Sequence, residues 1–243
     1  MSDIRIYQPI NLKINNIIQL DSNATHHLVR VLRAKVGDTL TLFNGRGGEY
    51  QAVISHIDKK RVEVNILSFS AREVESPIHI QLAQGIARGE KMDFIVQKAV
   101  ELGVTAIIPL MTERCNVRLD KERFLNRLDH WQAVITSACE QSGRNRLPSL
   151  IEAKTFHEWL ASVPADHYRF VLSPHVEKKW PADIPHASNI VILIGPEGGL
   201  SEAEVELAVK NGFMPLNLGQ RVLRTETASI AAIAALQSRY GDL

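Results

Sequence analysis

The sequence predicts an α/β protein in two parts, a small N-terminal β-barrel and a larger α/β domain with a mostly parallel sheet. Three observations carry this. Residues 1–70 read as short strands closed by tight turns. After residue 77, strand-like and helix-like segments alternate. Between them lies SFSAREVESP, residues 68–77, a polar stretch ending in Pro77 that reads as a linker. The domains are accordingly placed at 1–72 and 73–243.

In the first part the strands are RIYQPI, TLTLF, EYQAVISHI and RVEVNIL. Turn chemistry joins them at Val36-Gly37-Asp38-Thr39, at Asn44-Gly45-Arg46-Gly47-Gly48 and at Asp58-Lys59-Lys60. One helix interrupts them, NATHHLVRVLR, with Asn23 as its expected N-cap. In the second part IHIQLAQ is a strand. EKMDFIVQKAVELG is a helix that puts Met92, Ile95, Val96, Ala99, Val100 and Leu102 on one face and stops at Gly103. TAIIPL is a strand, and a long helix runs over 120–142 from Asp120 to the stop at Gly143. TFHEWLASV is a short helix, YRFVLS and NIVILI are strands, and a helix covers 202–211. MPLNLG and a C-terminal helix from about Thr227 complete the chain.

Composition narrows the class without naming a function. At 243 residues, 45% apolar and 23% charged, the chain can bury a sizeable core. Its two cysteines, Cys115 and Cys139, lie far apart with no CxxC, which points to a reducing, cytoplasmic setting without disulfides or a structural metal. The start of the chain has no signal-peptide pattern, and no apolar run approaches the roughly 20 residues that span a membrane. Net charge is +1, but residues 1–72 hold 10 Lys/Arg against 6 Asp/Glu. That imbalance fits a polyanion partner and equally a normal solvated surface. Aromatic residues make up 6% and do not cluster along the chain, so no base-stacking platform is expected.

Two loops carry the chemical signal. NIVILI is continuously apolar, as a strand buried on both faces should be, and it breaks into GPEGGL. Ser201 and Glu204 then form an S-x-x-E capping box. GPEGGL therefore sits at the carboxyl end of a parallel strand before a helix start, where open α/β sheets bind ligands. Neither GxxxxGK[ST] nor GxGxxG is present, and Ser201, Glu202 and Glu204 at the helix start disfavour a pyrophosphate. A neutral or cationic ligand fits better. LNLGQRVLRTETASIAA repeats the layout: strand, Gly219, loop, helix. The two loops could wall one pocket. Alternatively, Thr225 or Thr227 is only an N-cap and Arg224 only a surface charge.

IGPEGGLSEAEVE followed by LNLGQRVLRTETA resembles the SPOUT-class RNA methyltransferases. It is closest to the RsmE branch, which methylates N3 of uridine 1498 in 16S rRNA. HHLVRVLRAKVGD, GEKMDFIVQKAVELGV, IIPLMTERC and ACEQSGRNRLP match the same branch in the same order. The resemblance implies a small PUA-like, RNA-binding β-barrel followed by a SPOUT α/β domain with a C-terminal trefoil knot. It implies S-adenosyl-L-methionine held by backbone groups of Gly195, Pro196, Glu197, Gly198, Gly199 and Leu200. A second contact set would be Leu218, Gly219, Leu223, Arg224, Thr225 and Ala228, with Leu172 and Leu193 lining the adenine side. It also implies a homodimer acting on 16S rRNA within the small ribosomal subunit. Other SPOUT enzymes, such as a tRNA ribose methylase, and a silent RNA-binding module remain as alternatives.

Methylating N3 of uracil requires loss of the N3 proton. Arg224 is the first catalytic candidate, as a fixed cation near the developing negative charge. Glu226 is the candidate proton acceptor, and reads equally well as an acid favoured by the helix dipole or as a group orienting Arg224. Arg88, Lys91, Lys98, Arg114, Arg144 and Arg146 are read as RNA contacts around the strand-end face. Arg30 and Arg33, on one side of the short N-terminal helix, are read as phosphate contacts. Adjacent His26 and His27 make a poor metal pair, and Arg46 reaches from a hairpin tip.

Overall fold

The computed structural model describes residues 4–115, 121–152, 154–173 and 180–243. Asp120, expected to open the long helix, lies outside them. The chain forms two compact units, Met1–Glu75 with Cys139–Leu147, and Ser76–Ala138 with Pro148–Leu243. The first unit thus recruits a segment more than sixty residues downstream of its own end.

The first unit contains β1 (Arg5–Tyr7), β2 (Ile17–Gln19), α1 (Ser22–His26), β3 (Thr39–Phe43), β4 (Glu49–Ile57) and β5 (Val62–Ser70). Its sheet runs β1-β3-β4-β5-β2, with β1–β3 parallel and the other pairs antiparallel. Alternation fixes the faces. Val62, Val64 and Ile66 point inward and are fully buried with Leu28, Leu42 and Ile54. Gly37, Gly45, Gly47 and Gly48 all carry positive φ in the turns between strands. The Asp58 carboxylate accepts the amides of Lys60 and Arg61 and closes the β4–β5 turn.

Three expectations are corrected here. The polar stretch 68–77 begins inside a strand, because β5 continues to Ser70 by pairing Phe69 with Tyr50 and Ser70 with Glu49. The N-cap of α1 is Asp21 rather than Asn23, since an Asp21 carboxylate oxygen accepts Ala24 N–H at 2.8 Å. The helix then widens into a π-helical turn, His27–Leu32, and ends at Arg33 with φ 51°. Arg30 and Arg33 are both exposed, but Arg33 sits on the left-handed terminal residue.

The recruited segment supplies polar partners to the first unit. Glu140 accepts the Tyr7 amide at 2.9 Å, and burial pushes its carboxyl up. Asn145 accepts from Arg5 and donates to the Arg72 carbonyl at 2.7 Å. Arg144, 3% exposed, grips Glu75 through Nε at 3.0 Å and through Nη2. Arg144 is therefore a buried structural ion pair, not a free RNA contact. Cys139 is buried, and burial pushes its thiol to about 12, which leaves it an inert core residue.

The second unit holds β6 (His79–Gly85), α2 (Glu90–Glu101), β7 (Ala106–Met111), most of α3 (Lys121–Ser142), β8 (Ser149–Leu150) and β9 (Lys154–Thr155). It continues through α4 (Phe156–Ser162), β10 (Tyr168–Leu172), β11 (Asn189–Ile194), α5 (Glu202–Lys210), β12 (Met214–Leu216) and α6 (Thr225–Tyr240). The sheet order is β12-β10-β11-β6-β7-β8, with β9 also on β7, and every pairing is parallel. The apolar face of α2 is buried except Leu102, which is its C-cap. α6 starts at Thr225, earlier than expected. Near its far end Gln237, 1% exposed, donates to the Leu102 carbonyl at 2.8 Å and accepts from Ser76 Oγ at 2.7 Å. Among the described residues no helix is long and apolar enough to cross a membrane.

Removing one partner of a buried ion pair strands the other charge. Arg144→Ala should therefore cost roughly 3–5 kcal/mol in urea unfolding. Arg146→Ala, at a side chain 55% exposed, should change the midpoint little.

Candidate functional site

The carboxyl ends of β10, β11 and β12 lie side by side because β10 pairs with both neighbours. The loops that leave them, 195–200 after β11 and 217–224 after β12, open a cavity of about 650 Å³. Its floor and walls include Leu172, Ser173, Ile194 and Leu216 from the strand ends. Gly195, Pro196, Glu197, Gly198, Gly199 and Leu200 form one side. Leu218, Leu223 and Ala228 face it from the second loop and the start of α6.

Both loops are held by one buried polar cluster. Gln84, fully buried at the end of β6, shares the two Nε2 hydrogens among the Gly85 carbonyl at 2.9 Å, Thr225 Oγ1 at 3.0 Å and the Gly195 carbonyl at 3.2 Å. Thr225 Oγ1 donates to the same Gly195 carbonyl at 2.7 Å. Ser229, one turn into α6, donates to Gln84 Oε1 at 2.6 Å. The first residue of the glycine loop is thus fixed to β6 and α6 together. Thr225 is neither an N-cap nor a cavity residue, for its hydroxyl turns inward to this cluster. The N-cap is Arg224, with no side-chain cap bond.

Two glycines are required by space. A Cβ on Gly85 would lie 2.5 Å from Pro196 Cδ, and one on Gly195 would lie 2.7 Å from the backbone at Gly199 and Leu200. Gly199 is required by conformation, with φ 69°.

The far side of the glycine loop is tied to β7 and α2. Glu204, 5% exposed, accepts Ser201 N–H at 2.9 Å in the predicted capping box and also accepts Glu113 N–H at 2.8 Å. Arg114 donates to the Gly198 carbonyl at 3.2 Å and lines the cavity. Glu197 accepts the Arg88 amide at 3.0 Å and pairs with Lys91 at 3.4 Å. Burial alone would raise the Glu197 carboxyl, but the amides of Arg88 and Glu197 and the Lys91 ammonium together hold it below its ordinary range.

The remaining candidates divide. Leu193 is a fully buried core residue rather than a wall, and Gly219 and Arg224 are not on the lining either. Arg224 is exposed. Glu226 is half-buried, and its Oε2 is shielded from solvent without a hydrogen-bond partner among the described residues. Arg88 is exposed, whereas Lys98 is engaged by Glu101 at 2.8 Å and lies over the Phe94 ring. Glu202, already read as disfavouring a pyrophosphate, lines the cavity from α5, and so do Val205, Glu206, Asn217, Arg221 and Val222, which the sequence did not single out. The i, i+4 spacing of Glu202 and Glu206 beyond a capping box was the available signal. No cluster that could hold a metal ion occurs among the described residues.

Gln84→Leu removes the shared donor and leaves buried oxygens unpaired. It should destabilise the chain by roughly 1–3 kcal/mol in thermal or urea unfolding. Gly195→Ala should lower the unfolding midpoint through the clash of its Cβ with the Gly199 and Leu200 backbone, and Gly219→Ala should lower it through backbone strain at φ 121°.

The family described as RNA methyltransferase domain matches residues 74–237, and the family described as RNA methyltransferase PUA domain matches residues 20–67. The chain is 40% identical to a ribosomal RNA small subunit methyltransferase E of Buchnera aphidicola, over 98% of this chain and 97% of that one. It is 31% identical to the Bacillus subtilis protein of the same name, over 87% and 86%. A Legionella pneumophila structure in complex with bound SAM superposes with a TM-score of 0.95 at 42% identity, covering both chains fully. A ribosomal RNA small subunit methyltransferase E from Neisseria gonorrhoeae bound to S-adenosyl methionine gives 0.93 at 40%, again over both full chains. With its glycine-loop cavity at the strand ends and a PUA segment ahead of it, the chain belongs to the ribosomal RNA small subunit methyltransferase E family.

Proposed function

We propose that this protein transfers a methyl group from S-adenosyl-L-methionine to N3 of a uridine in small-subunit ribosomal RNA, at the position numbered 1498. The observation that carries the reading is the cavity itself. It has the volume of a small-molecule site, backbone-lined walls, and an apolar floor at Leu172, Ile194 and Leu216. Glu197, Glu202 and Glu206 on its wall suit a cationic ligand and disfavour a nucleotide polyphosphate. The residues present therefore fit S-adenosylmethionine, which supplies an electrophilic methyl group when bound.

The chain's own residues must position the uracil and manage its proton. Loss of the N3 proton would leave the nitrogen lone pair that forms the new N–C bond, so one residue must take that proton and another must hold the uracil anion. Arg224, exposed at the N-cap of α6, is assigned to stabilise the negative charge on uracil. Glu226, half-buried on the first turn of α6 and two residues from Arg224, is assigned to accept the proton. Arg88, Lys91 and Arg114 border the glycine loop and are assigned to RNA phosphates.

The same reading includes a trefoil knot in the second unit, a PUA-like barrel in the first, a homodimer and a cytoplasmic setting. The half-buried stripe Ile230, Ala231, Ala234 and Ala235 on α6 supports the dimer, since an apolar face of that kind suits a second copy.

Methyl transfer to isolated small subunits tests the assignment. Arg224→Ala should lower kcat by about 10²–10³-fold. Glu226→Gln should lower it by about 10²–10⁴-fold with S-adenosylmethionine affinity little changed. A Glu226→Gln enzyme at full rate would remove Glu226 as the proton acceptor.

A further inference from the structure

The first unit carries an aromatic surface that the chain order conceals. The β4–β5 register sets Tyr50 opposite Phe69, with ring centroids 4.8 Å apart. Phe69 is 46% exposed. The Phe69 ring rests on bare backbone, for a Cβ on Gly48 would overlap it. The adjacent Gly47 is bare for a second reason, because a Cβ there would overlap Glu73 Oε1 and lie 2.6 Å from Arg146 Nη2, the two ends of the Glu73–Arg146 pair. Consecutive glycines thus seat an exposed ring and an exposed guanidinium side by side. Arg46 joins them through an antiparallel backbone bridge to Arg146, is exposed, and makes no ion pair among the described residues. Arg146 is held loosely by Glu73 at 3.6 Å, with 55% of its side chain exposed.

We infer that Tyr50, Phe69, Arg46 and Arg146 form a docking site for single-stranded RNA, with a base stacked on Phe69 and flanking phosphates on the two arginines. An exposed aromatic ring provides a sequence-tolerant stacking face, and adjacent guanidinium groups fit the phosphates. Arg46 without an ion pair among the described residues and Arg146 only loosely paired give this patch the positive charge that suits a polyanion. The inference rests on the proposed action on ribosomal RNA, and it names the surface that would grip the strand outside the methyl-donor cavity. It also replaces the expectation that no stacking platform exists.

Binding of a fluorescein-labelled twelve-nucleotide oligouridylate to the full chain tests it, with a duplex RNA of the same length as comparison. Phe69→Ala and Phe69→Leu should each weaken single-strand binding by about 5- to 100-fold. Phe69→Leu keeps an apolar side chain over Gly48 and so separates stacking from folding. Phe69→Tyr should restore affinity to within about twofold, because it restores a stacking face. The Arg46→Ala/Arg146→Ala double variant should flatten the salt dependence by roughly one in log–log slope. Lys59→Ala, in the turn at the other end of the hairpin, should change binding less than twofold. Wild-type affinity in Phe69→Leu, or equal binding of duplex and single strand regardless of Phe69, would overturn the site. S-adenosylmethionine titration of the same variants keeps the two readings apart: no donor binding by wild type defeats the methyl-transfer reading, while the oligonucleotide result decides this surface.

Discussion

The Gly195 carbonyl is the point on which the site depends. It ends β11, begins the glycine loop, and accepts hydrogen bonds from Gln84 on β6 and Thr225 on α6. Each such bond contributes only about 1 kcal/mol net, but leaving one of these buried groups unpaired costs more. The cluster therefore acts as a geometric constraint more than a reservoir of stability. It sets how far α6, and with it the loop 217–224, can stand from the loop 195–200. Gln237 fixes the other end of the same helix to α2, so α6 has little freedom to slide.

That constraint explains why the site uses backbone and small residues. A loop pulled this close to its neighbours has no space for a Cβ at Gly195, and its partner strand has none at Gly85. The cavity is then shaped by carbonyl and amide groups together with aliphatic strand ends. Among the described residues, charge enters through Glu197, Glu202, Glu206, Arg114 and Arg221. Such a surface selects by shape and by the sign of the ligand's charge.

Much of the second unit was legible because its signals are local. Gly103, the Ser201–Glu204 box and the unbroken apolar run Asn189–Ile194 mark element ends within a few residues. The chemistry of the glycine loop was legible for the same reason. What escaped depends on distant partners. β8 and β9 are two residues each and exist only as additions to β7. The start of α6 was placed late because Arg224 makes no side-chain cap bond and Thr225 turns inward. Arg144 looked like a free cation until Glu75, 69 positions away, was seen to hold it. The Tyr50–Phe69 pair needed the β4–β5 register to become visible.

The central claim is that two strand-end loops, joined through Gln84, close over one methyl-donor molecule. Amide hydrogen exchange of the full chain, with and without saturating S-adenosylmethionine, tests this most directly. The account predicts that amides in 195–200 and in 218–228 slow together when the donor is added. Slowing in one loop alone, or in neither while the donor binds, would contradict it.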